Sequence, residues 1–179
     1  MLKTWRFLTI MLTAFALSAA LAHLMELPGK MTYDAPLYVL LHRTLYPTFG
    51  RTVGWAEVLA LVSLVGLAWR VRRRPAAFPL TVTAAVCQAA AMAVFLVFVQ
   101  PANLTMASWP LDAIPPEWAR WRDQWEYGHA ARAVLETAGF AALVLSVLRE
   151  TPPEPGRPPG ELAEQEARQR AAEHASSVP

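Results

Sequence analysis

The chain has 179 residues, 55% of them hydrophobic and only 17% charged, with a mean hydropathy of +0.27. That balance excludes an ordinary soluble domain and points to one membrane domain. The net charge of +2 is small and the basic residues cluster at segment ends, which excludes the continuous basic stripe that a nucleic-acid backbone requires.

The first expected span covers residues 7 to about 27, where FLTIMLTAFALSAALA carries no charge. About 20 helical residues at 1.5 Å each cross a hydrocarbon core of about 30 Å. Lys3 and Arg6, the apolar run and Ala20-Leu21-Ala22 also fit a signal peptide cleaved before His23. The run is long for that, and residues 23 to 30 read better as the end of a retained helix, with Lys30 after Pro28-Gly29 as a solvated loop residue. The second span runs from about Val53 to Trp69, interrupted only by Glu57, and stops at the Arg70 to Pro75 cluster. The third runs from about Ala77 to Gln100 without a charge, and Pro101 follows it. Cys87, the single cysteine, lies within it, so an intramolecular disulfide and a CxxC metal site are excluded and a small buried residue is expected. The fourth span, residues 127 to 148, extends N-terminally from about 116, where Pro115-Pro116 signals a helix start. From 151 to 179 the composition turns Pro-rich and then Glu-, Arg- and Ala-rich, as expected of a disordered tail.

Charge sets the expected topology. With the N-terminus inside, Lys3, Arg6, the Arg70 to Arg74 cluster and Arg149 gather at inner ends. Trp5 and Trp69 fall at inner boundaries, and Trp55, Trp109, Trp118, Trp121 and Trp125 at or beyond outer ones. The reading is all-α: a four-transmembrane-helix bundle with both termini cytoplasmic, in a bacterial inner membrane.

Ionisable residues inside apolar spans are expensive and usually line an internal site. Helical rise places His129 near the outer surface, Arg132 roughly 5 Å below it and Glu136 roughly 10 Å below it. Glu57 reaches a comparable depth, and His23 lies just inside the outer end of the first span with Glu26 above it. On the fourth helix Trp118, Arg122, Trp125, His129, Arg132 and Glu136 recur at spacings of three and four, which makes one stripe. Arg132 with Glu136 and His23 with Glu26 can pair within their helices. A neutral imidazole beside a carboxylate is a proton acceptor, so His23 is a candidate base. Trp125 is a candidate aromatic wall. Asn103, just past the third span, can donate to a substrate oxygen, although loop and capping roles also suit it. The alternative reading is structural: paired polar groups hold helices together and long basic side chains snorkel.

His23, Glu26, Glu57, His129 and Glu136 also form the kind of His and carboxylate set with which helix bundles bind two metals. Iron, copper or zinc is therefore an alternative. The pattern departs from Glu-x-x-His, since the fourth helix reads His-x-x-Arg and puts a cation where a ligand is wanted.

At HLMELPGK (23 to 30), VQPANLTMASWP (99 to 110) and WARWRDQWEYGHAAR (118 to 132) the chain resembles the small four-helix membrane proteins grouped with the anthrone oxygenases. The resemblance spans about residues 7 to 149. It implies a bundle that uses molecular oxygen to convert an anthrone to an anthraquinone without a recognised metal or flavin. Trp118, Arg122, Trp125, His129 and Arg132 are its most specific part. Ala102 and Thr105-Met106 differ from the polyketide enzymes, which bears on the substrate more than on the fold.

The expected site therefore has His23, His129 and Arg132 as catalytic residues, with Glu26, Glu57, Asn103, Arg122, Trp125 and Glu136 binding substrate. His23 or His129 removes a proton, and Arg132 or Trp125 stabilises the enolate or stacks on its rings. The expected partners are the lipid bilayer and a hydrophobic aromatic small molecule, with a homo-oligomer left open. No cofactor is expected. The rival function is a non-enzymatic membrane protein that binds a hydrophobic ligand or partner. Transport is the weaker reading, because four short spans without broken helices show no alternating pathway.

Overall fold

The computed structural model describes residues 1–151, and every described element is helical. In chain order these are α1 (Leu2–Lys30), α2 (Ala35–Thr44), α3 (Tyr46–Val71), α4 (Phe78–Val94), a π-helical turn (Phe95–Val99), α5 (Gln100–Ala107) and α6 (Trp118–Leu148). Apart from Thr151, the expected tail lies outside the described residues. Four helical segments are long and apolar enough to cross a membrane: Leu2–Lys30, Tyr46–Val71, Phe78–Ala107 and Trp118–Leu148. Phe7, Phe15, Val62, Val65, Val134 and Leu145 are exposed on the outside of the bundle, a surface that suits hydrocarbon and not water.

The four long segments close into a ring, in which α1 packs on α3 and α6, and α4 on α3 and α6. Small residues permit the close contact of α4 with α6: a Cβ added at Gly139 would lie 2.9 Å from Cys87 Cβ and 3.3 Å from the Ala84 carbonyl oxygen. Cys87 is half-buried at this contact rather than fully enclosed. Two cores result. One, near the chain's first residue and Leu148, joins Leu64, Leu67, Val71, Ala84 and Leu143; the other, near α2, joins Tyr38, Val39, Val99, Met106 and Trp125. Beyond the first core, Arg6 and Arg74 both bond Glu150. Partial burial pulls the Glu150 pKa up, but these two guanidinium groups outweigh it and hold the carboxyl below its usual range.

α1 continues through Pro28 to Lys30, in keeping with the reading of residues 23 to 30 as a helix end. The helices begin and end differently from the sequence expectation in two places. α3 starts at Tyr46 rather than near Val53, with Pro47 in a first turn where its missing N–H costs nothing. The third span does not stop at Pro101 but continues to Ala107 through the π-helical turn, in which Gln100 N–H reaches back to the Phe95 carbonyl. The wider turn accommodates the proline without unwinding the backbone. The segment α2 was not expected at all. Asp34 caps it by accepting from Leu37 N–H at 3.0 Å, and Pro36 occupies its first turn.

Candidate functional site

A cavity of about 540 Å³ opens between α1, α3, α6 and the π turn with α5. His23, Glu57, Asn103, Trp125, His129 and Arg132 line it, joined by Tyr46 and Phe95. Of the residues expected from the sequence, Glu26, Arg122 and Glu136 are not on its wall.

Trp125 is the centre of the cluster. Its indole is 1% exposed and lies 4.3 Å from the His129 ring and 5.0 Å from the His23 ring, centroid to centroid. His23 and His129 themselves stack at 4.1 Å. The i to i+4 step from Trp125 to His129 puts both rings on one face of α6, and the closing of α1 onto that face brings His23 to meet them.

The neighbours of each ring favour one tautomer. Arg132 Nη1 lies 3.4 Å from His129 Nδ1, and Lys30 Nζ lies 3.5 Å from His23 Nδ1. Arginine and lysine only donate, so both Nδ1 atoms accept and each neutral ring keeps its proton on Nε2. The Glu26 carboxylate, expected to orient His23, is farther from its Nδ1, at 3.9 Å. In this tautomer the second nitrogen of each imidazole is an Nε2–H donor.

Below the rings, Arg132 bonds Glu57 of α3 and Glu136 of its own helix, the latter at 3.2 Å. All three are buried, and Glu136 Oε2 has no hydrogen-bond partner among the described residues. The expected i, i+4 pair is therefore part of a triad that also ties α6 to α3. Arg122 leaves the stripe, bonding Asp123 at 2.9 Å and the Met31 carbonyl at 3.3 Å.

Four groups were missed or misread from the sequence. Lys30 is not a solvated loop residue but is 3% exposed, 3.1 Å from Glu126 and 3.4 Å from Glu26, with its ammonium 4.6 Å from the Trp125 ring. Glu126 is fully enclosed and accepts from the Tyr38 hydroxyl at 2.9 Å. Burial, followed by the adjacent Glu126 charge, pushes the Tyr38 phenol far above its ordinary range, so it remains a donor. Trp109, expected at or beyond an outer boundary, is buried in the core near α2.

His42 is the fourth. Asn103 Oδ1 accepts both from Trp125 Nε1 at 2.7 Å and from His42 Nε2 at 3.1 Å, so Asn103 holds the indole rather than capping a loop. Burial lowers the His42 pKa to about 4, against the upward pull of the Asn103 bond and with help from Lys30. In the unfolded chain the ring titrates near 6.5, so between these values the unfolded state binds more protons. The contribution to stability is full above 6.5 and is lost as pH falls toward about 4. Thermal unfolding in detergent as a function of pH checks this: His42→Gln keeps a donor for Asn103 and is expected to remove up to about 3 kcal/mol of the acid-induced loss.

Among the described residues no three His, Cys, Asp or Glu side chains come together as metal ligands. Arg132 stands between His129 and the two carboxylates, where a second metal-binding group would have to be. Scans of family models, curated proteins and solved structures find no match to this chain.

Proposed function

We propose that the chain is an integral protein of a bacterial cytoplasmic membrane, with its α2 end on the non-cytoplasmic side. Its cavity binds a hydrophobic aromatic molecule, and the protein acts as a cofactor-independent oxygenase of anthrone- or quinol-like substrates. The carrying observation is the convergence of one imidazole from α1 with an imidazole and an indole from α6 on one cavity floored by Glu57 and Arg132. The Arg70 to Arg74 cluster supports the orientation, and the resemblance of residues 118 to 132 to the anthrone oxygenases supports the reaction.

The chemistry assigns each group a task. Glu57 takes the proton from the acidic CH2 opposite the substrate carbonyl, while Arg132 beside it keeps the charge of the pocket balanced. The N–H groups of His23 and His129 bond the carbonyl oxygen as it becomes an enolate. Trp125 and Phe95 hold the rings flat. The substrate carbon then gives electrons to molecular oxygen and forms a C–O bond; the peroxide takes up the proton, and loss of water leaves a ketone. One oxygen atom ends in the product and one in water. With anthrone and oxygen-18 gas, the purified protein is expected to place one labelled atom in the anthraquinone. Turnover without label in the product would overturn the oxygenase assignment.

A second reading has its own support. Arg132 joins α3 to α6, and Lys30 joins α1 to α6 through Glu126, so the same charges hold the bundle together. A protein that binds the aromatic molecule without converting it fits that arrangement.

A further inference from the structure

The cavity reaches the side of the bundle as well as its interior. At its upper end α2 packs against both α3 and α5 and so bridges them. Beneath this bridge the two helices part: α4 packs along α3, but after the π turn the third span packs on α6 and α2 instead. Gly50 and Gly54 of α3 line the resulting cleft, and a Cβ added at either would meet nothing within 4 Å. A Gly-x-x-x-Gly face in an apolar helix is ordinarily covered by a neighbouring helix. Here it borders empty space. Val58, Leu96 and Leu104 line the same cavity and are 41%, 61% and 65% exposed, so the opening is continuous with the apolar outside of the bundle.

Charge defines what can pass. Arg132 lies between Glu57 and Glu136, and Lys30 between Glu26 and Glu126, so each interior cation already has two carboxylate partners. Among the described residues no interior cation is left to neutralise an anion, and carboxylates are in excess. Arg51 at the rim is exposed and donates to the Pro47 carbonyl at 3.2 Å. An ionised molecule would also lose its hydration in crossing the cleft.

We propose that the cleft between α3 and α5 is a lateral portal through which an uncharged, bilayer-dissolved aromatic carrying a hydrogen-bonding oxygen reaches the site, kept open by Gly50 and Gly54. This rests on the membrane-embedded, ligand-binding reading above. Gly54 and Leu104 are gating positions, distinct from the rings and charges that hold the ligand.

The test uses the full chain in lipid nanodiscs with Cys87→Ala, Gly54→Cys and, separately, Leu104→Cys. The probe is 9,10-anthraquinone delivered from lipid vesicles, with saturable quenching of tryptophan fluorescence followed in a stopped-flow instrument. Reaction of either cysteine with a benzyl methanethiosulfonate is expected to slow both loading and release roughly ten-fold, and reduction to restore them. Anthraquinone-2-carboxylate, of the same ring system but anionic, is expected to bind at least roughly ten-fold more weakly. Unchanged rates after modification at both positions overturn the portal, and equal binding of the carboxylate overturns the uncharged class. Absence of saturable quenching by the unmodified protein removes the ligand-binding reading itself, a result distinct from either.

Discussion

Replacing His129 with alanine is expected to lower anthrone turnover roughly 10²-fold while the protein stays folded, whereas His129→Gln retains most of it. The reason lies in the direction of the hydrogen bonds. Arg132 occupies Nδ1 of His129, so Nε2–H is the group left for the substrate oxygen. A glutamine amide places an N–H near the same point but accepts no proton at neutral pH. If His129 were the base, glutamine would be as damaging as alanine. Activities of the two variants, with circular dichroism to establish folding, separate a donor from a base. Glu57→Gln complements them: it is expected to abolish turnover while saturable anthraquinone binding remains.

Removing Arg132 has the second large effect, on stability. Arg132→Met leaves Glu57 and Glu136 buried at 6% and 3% exposure without their cation, and one oxygen of Glu136 already has no partner among the described residues. Breaking such a buried pair by deleting one partner costs about 3–5 kcal/mol, much of it the burden of the stranded charges. The triple variant Arg132→Met, Glu57→Gln, Glu136→Gln strands no charge and is expected to recover most of the loss. Arg132→Lys keeps the charge but not the fork that reaches both carboxylates, and falls between. Denaturant-induced unfolding in mixed micelles measures the series. A single Arg132→Met variant as stable as the parent would show that the triad does not join α3 to α6.

Hydropathy alone made the four long helices legible, because a run long enough to cross hydrocarbon leaves an unmistakable composition. The polar stripe of α6 was legible too, since residues three and four apart share a face: Trp125, His129, Arg132 and Glu136 are all buried as that spacing implies. What the spacing hides is where each side chain ends. Arg122 belongs to the stripe by count, yet its guanidinium turns to Asp123 and Met31. Lys30 looked solvated because Pro28-Gly29 signals a break, but the helix runs through both and delivers its ammonium to Glu126.

The least legible part is the roof. α2 is 10 residues long, too short to show in a hydropathy profile, and it brings Tyr38 and His42 inward. Asp34 followed by Ala35-Pro36 was the available signal, as a helix cap and first turn. The π turn leaves no mark in the sequence, because adding one residue to a turn changes no composition. It carries the chain to Asn103 on α5, whose side chain meets both Trp125 and His42.

Nitrogen-15 NMR of histidine-labelled protein in bilayers addresses the central arrangement directly, since the chain has only 4 histidines. The expected spectrum shows a through-space contact between the rings of His23 and His129, whose centroids lie 4.1 Å apart, with the proton on Nε2 in both. Rings without mutual contact, or a proton on Nδ1 of either, would contradict a shared pocket in which paired imidazole N–H groups face the ligand.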